Sequence, residues 1–174
     1  GLRPNTVFND EPVKIGNWRP ANFNRKFQGP VSLGDALAGS INTVAVKVGR
    51  KAGMDKVIAT ARRLGLPVTF KSHPSLALGV GEVHLLDLTS AYATFANGGE
   101  SVWSHGILEI SDSDGQILYR RNSSGPRRVI DNVYVAAINS MLSNAVSNGT
   151  GKKADIGRPQ AGKTGTSQNF RDAW

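Results

Sequence analysis

The 174-residue sequence contains no cysteine. Disulfides, thiolate nucleophiles and cysteine-ligated metal sites are therefore excluded. The absence also suits an oxidising compartment, where a stray thiol is a liability. Histidine is scarce: His73, His84 and His105 stand alone at no ligand spacing, so each reads as a surface or core residue and no metal site is expected. No stretch approaches the roughly 20 consecutive apolar residues of a membrane-spanning helix. No charged-then-apolar leader opens the chain, so if the protein works outside the cytoplasm its targeting segment is expected upstream of Gly1. Long basic runs are missing too. The net charge is +8, but it is spread over pairs such as Arg62-Arg63, Arg127-Arg128 and Lys152-Lys153. No aromatic residues alternate with these pairs, so they read as solvated faces with mild anion attraction, and no nucleic-acid partner is expected.

Hydrophobic residues make up 39% of the chain, an ordinary share for one domain or part of one. Residues 1–31, rich in Pro, Asn and Gly, read as extended or irregular chain. Ser32 and Asp35 then resemble a capping box before a short helix with Leu33, Ala36 and Leu37 on its apolar stripe. A second helix resumes after Asn42, with Val44, Val48 and Ala52 one turn apart and Val46 widening the face, and ends at Gly53. A third spans about 54–64, and residues 66–81 read as a loop. Helices over about 85–96 and 132–147 follow, the second capped by Asp131 and lined by Val135, Ile138, Met141, Leu142 and Val146. Between them, strands over 107–110 and 116–119 flank the turn Asp112-Ser113-Asp114-Gly115. Residues 122–128 read as a polar loop. Residues 160–167 are expected to form a strand with its hairpin partner starting at Asp172-Ala173-Trp174. That partner is cut off after three residues, so the chain is expected to stop inside a fold.

Two short motifs stand out: Ser40-Ile41-Asn42 between two helices, and Lys163-Thr164-Gly165-Thr166 near the end. Each alone is common, and a helix-capping Ser or Asn is the usual explanation for the first. Together they make chemical sense. Acyl transfer through serine needs a nucleophile, a base, an oxyanion hole and a substrate anchor. A loop hydroxyl can relay protons, a carboxamide can bind a substrate amide, and a strand with Lys and Thr can hold a carboxylate. A rival reading is equally literal: Gly157 to Thr164 satisfies G-x-x-x-x-G-K-[ST], the phosphate-cradling loop of nucleotide-binding proteins. That loop needs an apolar strand before it and a helix after it, and Lys152-Lys153-Ala154-Asp155 is no such strand. A non-catalytic module that binds cell-wall peptide or a partner protein is the other alternative.

Serine acyltransferases of the penicillin-binding and β-lactamase group combine S-x-x-K, S-x-N and K-T-G motifs. The runs GPVSLGDALAGSINTVAVKVG (29–49), PSLALGVGEVHLLDLTSAYATFANGG (74–99) and GTGKKADIGRPQAGKTGTSQNFRDAW (149–174) resemble the transpeptidase domain of class A penicillin-binding proteins, and the resemblance covers nearly the whole chain. It implies an α+β fold, an antiparallel sheet flanked by helices and incomplete at both ends, with residues 1–174 forming part of one transpeptidase domain. By position, Ser40 would be the proton-relay hydroxyl, Asn42 the substrate-amide contact and Lys163 the positive charge near the relay serine and the substrate carboxylate, and no metal or organic cofactor is implied. Thr164 and Thr166 would hold the substrate carboxylate, the Thr166 N–H would line the oxyanion hole, and Gly165 would let substrate approach. The resemblance further implies peptidoglycan stem peptides and β-lactams as partners, an extracytoplasmic location, and a glycosyltransferase domain and membrane anchor upstream. One motif is absent: no Ser-x-x-Lys occurs in the 174 residues. The nucleophile and its lysine are expected before Gly1 and the closing strands after Trp174, so this polypeptide alone is expected to be inactive.

Overall fold

The computed structural model describes residues 1–67, 69–122 and 127–166. Two short antiparallel ribbons and five helices carry the chain. The first ribbon pairs β1 (Val7–Asp10) with β2 (Gly29–Ser32), Val7 opposite Ser32 and Asp10 opposite Gly29. It lies inside the stretch expected to be irregular. Strands of four residues with little alternation leave no legible period, and tertiary pairing decides them.

Helix α1 (Leu33–Ala38) starts as the capping residues imply. The Asp35 N–H donates to Ser32 Oγ at 3.1 Å, and the hydroxyl donates in turn to Asp35 Oδ2 at 2.6 Å. The Leu33 and Gly34 N–H groups, orphans of the first turn, reach back to the carbonyls of Thr6 and Pro4. Helix α2 (Asn42–Ala52) ends at Gly53, whose φ of 92° places it where a side chain would be strained. Helix α3 (Met54–Arg63) follows directly. Ala36, Ile41 and Val44 form the buried cluster, covered by Phe8, Val31 and Val48. The ribbon, α1 and α2 are thus locked around one apolar knot.

Residues Pro74–Leu78 form a 3₁₀ turn packed on α2, within the stretch read as loop. Helices α4 (Leu85–Ala96) and α5 (Asn132–Ser147) match the sequence periodicity. Val135, Leu142 and Val146 are buried, with Ile138 and Met141 half-buried beside them. Asp131 stands at the N-cap of α5, but its side chain makes no capping bond. Between these helices β3 (Glu109–Ser111) pairs with β4 (Ile117–Arg120), each within two residues of its expected limits. Asp112 Oδ1 accepts from the N–H groups of Asp114 and Gln116, and Gly115 takes φ 81°, which builds the turn that Asp-Ser-Asp-Gly foretells.

Residues 160–165 form no strand, contrary to expectation. They are held by a helix instead of a ladder: the Gly162 N–H donates to Leu142 O at 3.3 Å and Ser143 Oγ to Gln160 O at 3.1 Å. The hairpin partner expected at 172–174, like residues 123–126 of the polar loop, lies outside the described residues. No helix among the described residues is long and apolar enough to cross a membrane.

Candidate active site

Ser40 owes its position to the end of α1. Its N–H donates to Leu37 O at 3.1 Å and the Ile41 N–H to Ala36 O at 2.9 Å. This is the Schellman pattern, in which the residue just past the helix takes a left-handed conformation and is usually glycine. Here that residue is Ser40, with φ 56°. The hydrophobic contact that accompanies the motif is also present, Ile41 packing on Ala36. A non-glycine residue in this conformation costs about 1–2 kcal/mol. Backbone strain of this kind concentrates at functional positions.

Lys163, 123 positions away in sequence, donates from Nζ to Ser40 Oγ at 2.7 Å. The same ammonium donates to Thr164 O at 2.8 Å. Lys163 is half-buried, and burial lowers the pKa of its ammonium below the ordinary 10.5. Since the ammonium donates, the Ser40 oxygen accepts, and the hydroxyl proton of Ser40 is left to be given elsewhere. Asn42, the first residue of α2, donates from Nδ2 to Ala21 O at 2.8 Å, which leaves its Oδ1 as an acceptor. Thr164 shares a 2.7 Å hydroxyl–hydroxyl bond with Thr150. Gly165 and Thr166 are exposed. The structure thus joins Ser40, Lys163 and Thr164 directly. Asn42 stands two residues further on, and Gly165 and Thr166 continue the chain past Thr164.

The phosphate-loop reading of 157–164 loses its context. Lys152–Ala154 is a 3₁₀ turn where a buried strand should end, and the Lys163 ammonium is engaged with Ser40 and its own neighbour's carbonyl.

Two sets of residues escape a sequence reading. Thr150, in what reads as a simple helix breaker, bonds Thr164 and also donates its N–H to Ala38 O at 3.0 Å. Its neighbour Gly149 sits so close to the Ala38 and Ala145 carbonyls that a Cβ would overlap both. The second set is a buried carboxylate. Asp10, 1% exposed, accepts from Asn22 Nδ2 at 2.9 and 3.1 Å, from the Gln28 N–H at 2.9 Å and from the Thr43 hydroxyl. Asn22 Oδ1 in turn accepts the Thr43 N–H at 3.2 Å, one of the orphan donors at the start of α2. This network pins the first turn of α2, and Asn42 with it, to the loop that carries Ala21.

Burial raises the Asp10 pKa, but the bonds from Thr43, Asn22 and Gln28 and the charge of Lys47 outweigh burial and hold it below its ordinary 3.8. A carboxyl whose pKa is depressed on folding stabilises the fold above its unfolded pKa, and that contribution disappears as pH falls through the folded value. Asp10→Ala is expected to cost about 3 kcal/mol at neutral pH, because it strands the buried donors of Asn22 and Thr43 and the part-buried Gln28 N–H. It should also narrow the gap between stability at pH 7 and at pH 3. Denaturant melts of the full-length protein at the two pH values check both; an unchanged midpoint at pH 7 contradicts this role for Asp10.

The family model of the penicillin-binding protein transpeptidase domain matches residues 1–173. This chain belongs to that family. A penicillin-binding protein 1A of Rickettsia conorii is 34% identical over 203 residues, taking in 100% of this chain and 26% of the relative. One of Aquifex aeolicus is 39% identical over 165 residues, 94% of this chain and 22% of the relative. The chain therefore spans about a quarter of the length of these curated relatives. Among solved structures, penicillin-binding protein 1A of Haemophilus influenzae superposes with a TM-score of 0.89 at 26% identity, covering all of this chain and 33% of that one. PonA1 of Mycobacterium tuberculosis, at 22% identity, shares the fold with a TM-score of 0.86. The α+β transpeptidase fold expected from the motifs is the one found.

Proposed function

We propose that residues 1–174 form part of the transpeptidase domain of a class A peptidoglycan synthase. The domain cross-links stem peptides through an acyl-serine intermediate and binds β-lactams, on the outer face of the cell membrane. The observation that carries this reading is the 2.7 Å bond from Lys163 Nζ to Ser40 Oγ, which unites two motifs from opposite ends of the chain. The names of the relatives support it, and PonA1 has been solved in complex with penicillin V.

The nucleophile is a serine of a Ser-x-x-Lys segment outside these 174 residues, as are a glycosyltransferase domain and a membrane anchor. That serine gives its proton to the lysine of the same segment as it attacks the carbonyl before a terminal D-alanine, and the C–N bond breaks. The departing amine takes the proton that Ser40 is free to give, and Lys163 replaces it on the Ser40 oxygen. Lys163, Thr164 and Thr166 hold the donor's terminal carboxylate, the Thr166 N–H faces the developing oxyanion, and Gly165 leaves room for the peptide. Asn42 Oδ1 accepts an N–H of the donor peptide. An amine of a neighbouring strand then attacks the acyl ester and forms the cross-link; its proton passes through Ser40 back to Lys163, and the released serine regains its proton from the lysine of its own segment. A β-lactam enters as a mimic of the donor, and its opened ring stays attached as an acyl-enzyme.

Fluorescent penicillin, read by gel and intact mass, tests this on the full-length gene product and on the 174-residue chain. Labelling of the full-length protein only, abolished by Lys163→Ala, is expected. Labelling of neither removes the penicillin-binding assignment for this chain, and labelling of the short chain relocates the nucleophile to it, with Ser40 the first suspect.

A further inference from the structure

A closed circuit of hydrogen bonds runs through the two motifs. Lys163 Nζ reaches Ser40 Oγ on one side and Thr164 O on the other. Thr164 Oγ1 lies 2.7 Å from Thr150 Oγ1, and the Thr150 N–H returns to Ala38 O, two residues before Ser40. Thr150 therefore meets both sides: its hydroxyl bonds Thr164, and its N–H bonds the end of α1 that carries Ser40. Its backbone is fixed by the packing of Gly149 against the Ala38 and Ala145 carbonyls, and by the Gly151 N–H, which donates to Ala145 O at 3.0 Å. Its side chain, by contrast, is exposed. The hydroxyl is presented to the open side of the site by a backbone that has no freedom to move it away.

We propose that Thr150 is a positioning residue that acts through Thr164 to recognise the terminal carboxylate of the donor. This rests on the transpeptidase reading. A hydroxyl pair has two possible donor directions. A carboxylate accepts only, so when it binds Thr164 it must take the Thr164 proton, and the Thr164 oxygen is then free to accept from Thr150. The resulting chain, Thr150 O–H to Thr164 O–H to carboxylate, polarises each bond in the same sense. Without the Thr150 hydroxyl, the Thr164 rotor loses the partner that turns its proton outward. Glycines on both sides of Thr150 are explained by the same geometry. One allows the chain to press against α1 and the other to turn back onto the end of α5, so that only the threonine side chain projects.

The test is a donor pair on the full-length protein: a stem-peptide thioester ending in a free carboxylate, and the same donor with that carboxylate as its primary amide. Thr150→Val keeps the shape and removes the hydroxyl. It is expected to lower kcat/KM for the carboxylate donor roughly fivefold, the worth of one neutral hydrogen bond, and to leave the amide donor within twofold of wild type. Thr150→Ser should restore the carboxylate preference. In a Thr164→Val background, Thr150→Val should have no further effect. An equal loss on both donors means that Thr150 is merely structural, and no loss on either means that it is idle; each overturns the proposal. A wild-type protein that acylates from neither donor and takes up no penicillin overturns the transpeptidase reading and this inference with it.

Discussion

Ser40→Gly is expected to abolish most acylation by penicillin while giving a more stable protein than Ser40→Ala. The two effects separate because Ser40 does two unrelated things. Its backbone closes α1 in a left-handed conformation, φ 56°, that glycine adopts freely and alanine does not. Its hydroxyl accepts the Lys163 ammonium, and neither replacement can do that. Loss of a positioned proton relay costs roughly 10²- to 10⁴-fold in rate, and both variants should show it in the second-order rate of acylation. The backbone difference runs the other way: glycine in place of alanine at positive φ should raise stability by about 1 kcal/mol, more than its greater freedom in the unfolded chain costs. Thermal melts of the two full-length variants read this directly. A glycine variant that melts below the alanine one means that φ at this position is not strained in solution. A glycine variant that still acylates at the wild-type rate removes Ser40 from the proton path. A serine kept where glycine fits the backbone better is the pattern of a site that gives up stability for chemistry.

The extent to which the sequence foretold this arrangement follows from the range of the interactions. The limits of α4 and α5 were legible because twelve and sixteen residues carry several turns of apolar period. The Asp112–Gly115 turn was legible because Asx and glycine chemistry is local. The ribbon β1–β2 was not: its pairing joins residues about 20 positions apart, from Asp10 with Gly29 to Val7 with Ser32, and each strand has four. The same distinction divides the site. Ser40, Asn42 and Lys163 were named by motif, since the chemistry requires those side chains at that spacing. Asp10 and Thr150 were missed because their roles exist only across space. Asp10 has a neighbourhood of no distinction until Asn22 and Thr43 are brought to it, and Thr150 looks like punctuation until α1 and Lys163-Thr164 close on it. The strand expected from residue 160 onward is absent over 160–165 for a related reason. Its residues alternate no better than a loop's, and α5 supplies the partners that a neighbouring strand was expected to supply.

Lys163 should govern the alkaline limb of the reaction. Burial lowers its pKa from the ordinary 10.5, so its positive charge is lost at a lower pH than that of a solvated lysine. Both of its proposed tasks, holding a carboxylate and replenishing the Ser40 proton, require the charged form. The rate of acylation should therefore fall with a midpoint below 10.5 as pH rises. Lys163→Arg keeps the charge throughout that range, because guanidinium does not titrate there. It should lose some rate to altered geometry, yet its alkaline limb should move to higher pH. Lys163→Gln keeps a hydrogen-bond donor and removes the charge. Hydrogen bonds to charged groups contribute about 1.5–3 kcal/mol, so the rate should drop roughly 10- to 150-fold at neutral pH. The limb assigned to this group should vanish. Rate–pH profiles of the three full-length proteins with one β-lactam decide the matter. If the arginine variant keeps the wild-type alkaline midpoint, another group sets it, and the ammonium beside Ser40 is not the proton source. If the midpoint moves but the glutamine variant loses nothing at pH 7, the charge itself is not needed for the reaction at neutrality. Lys163 then orients Ser40 through its hydrogen bond instead of supplying its proton.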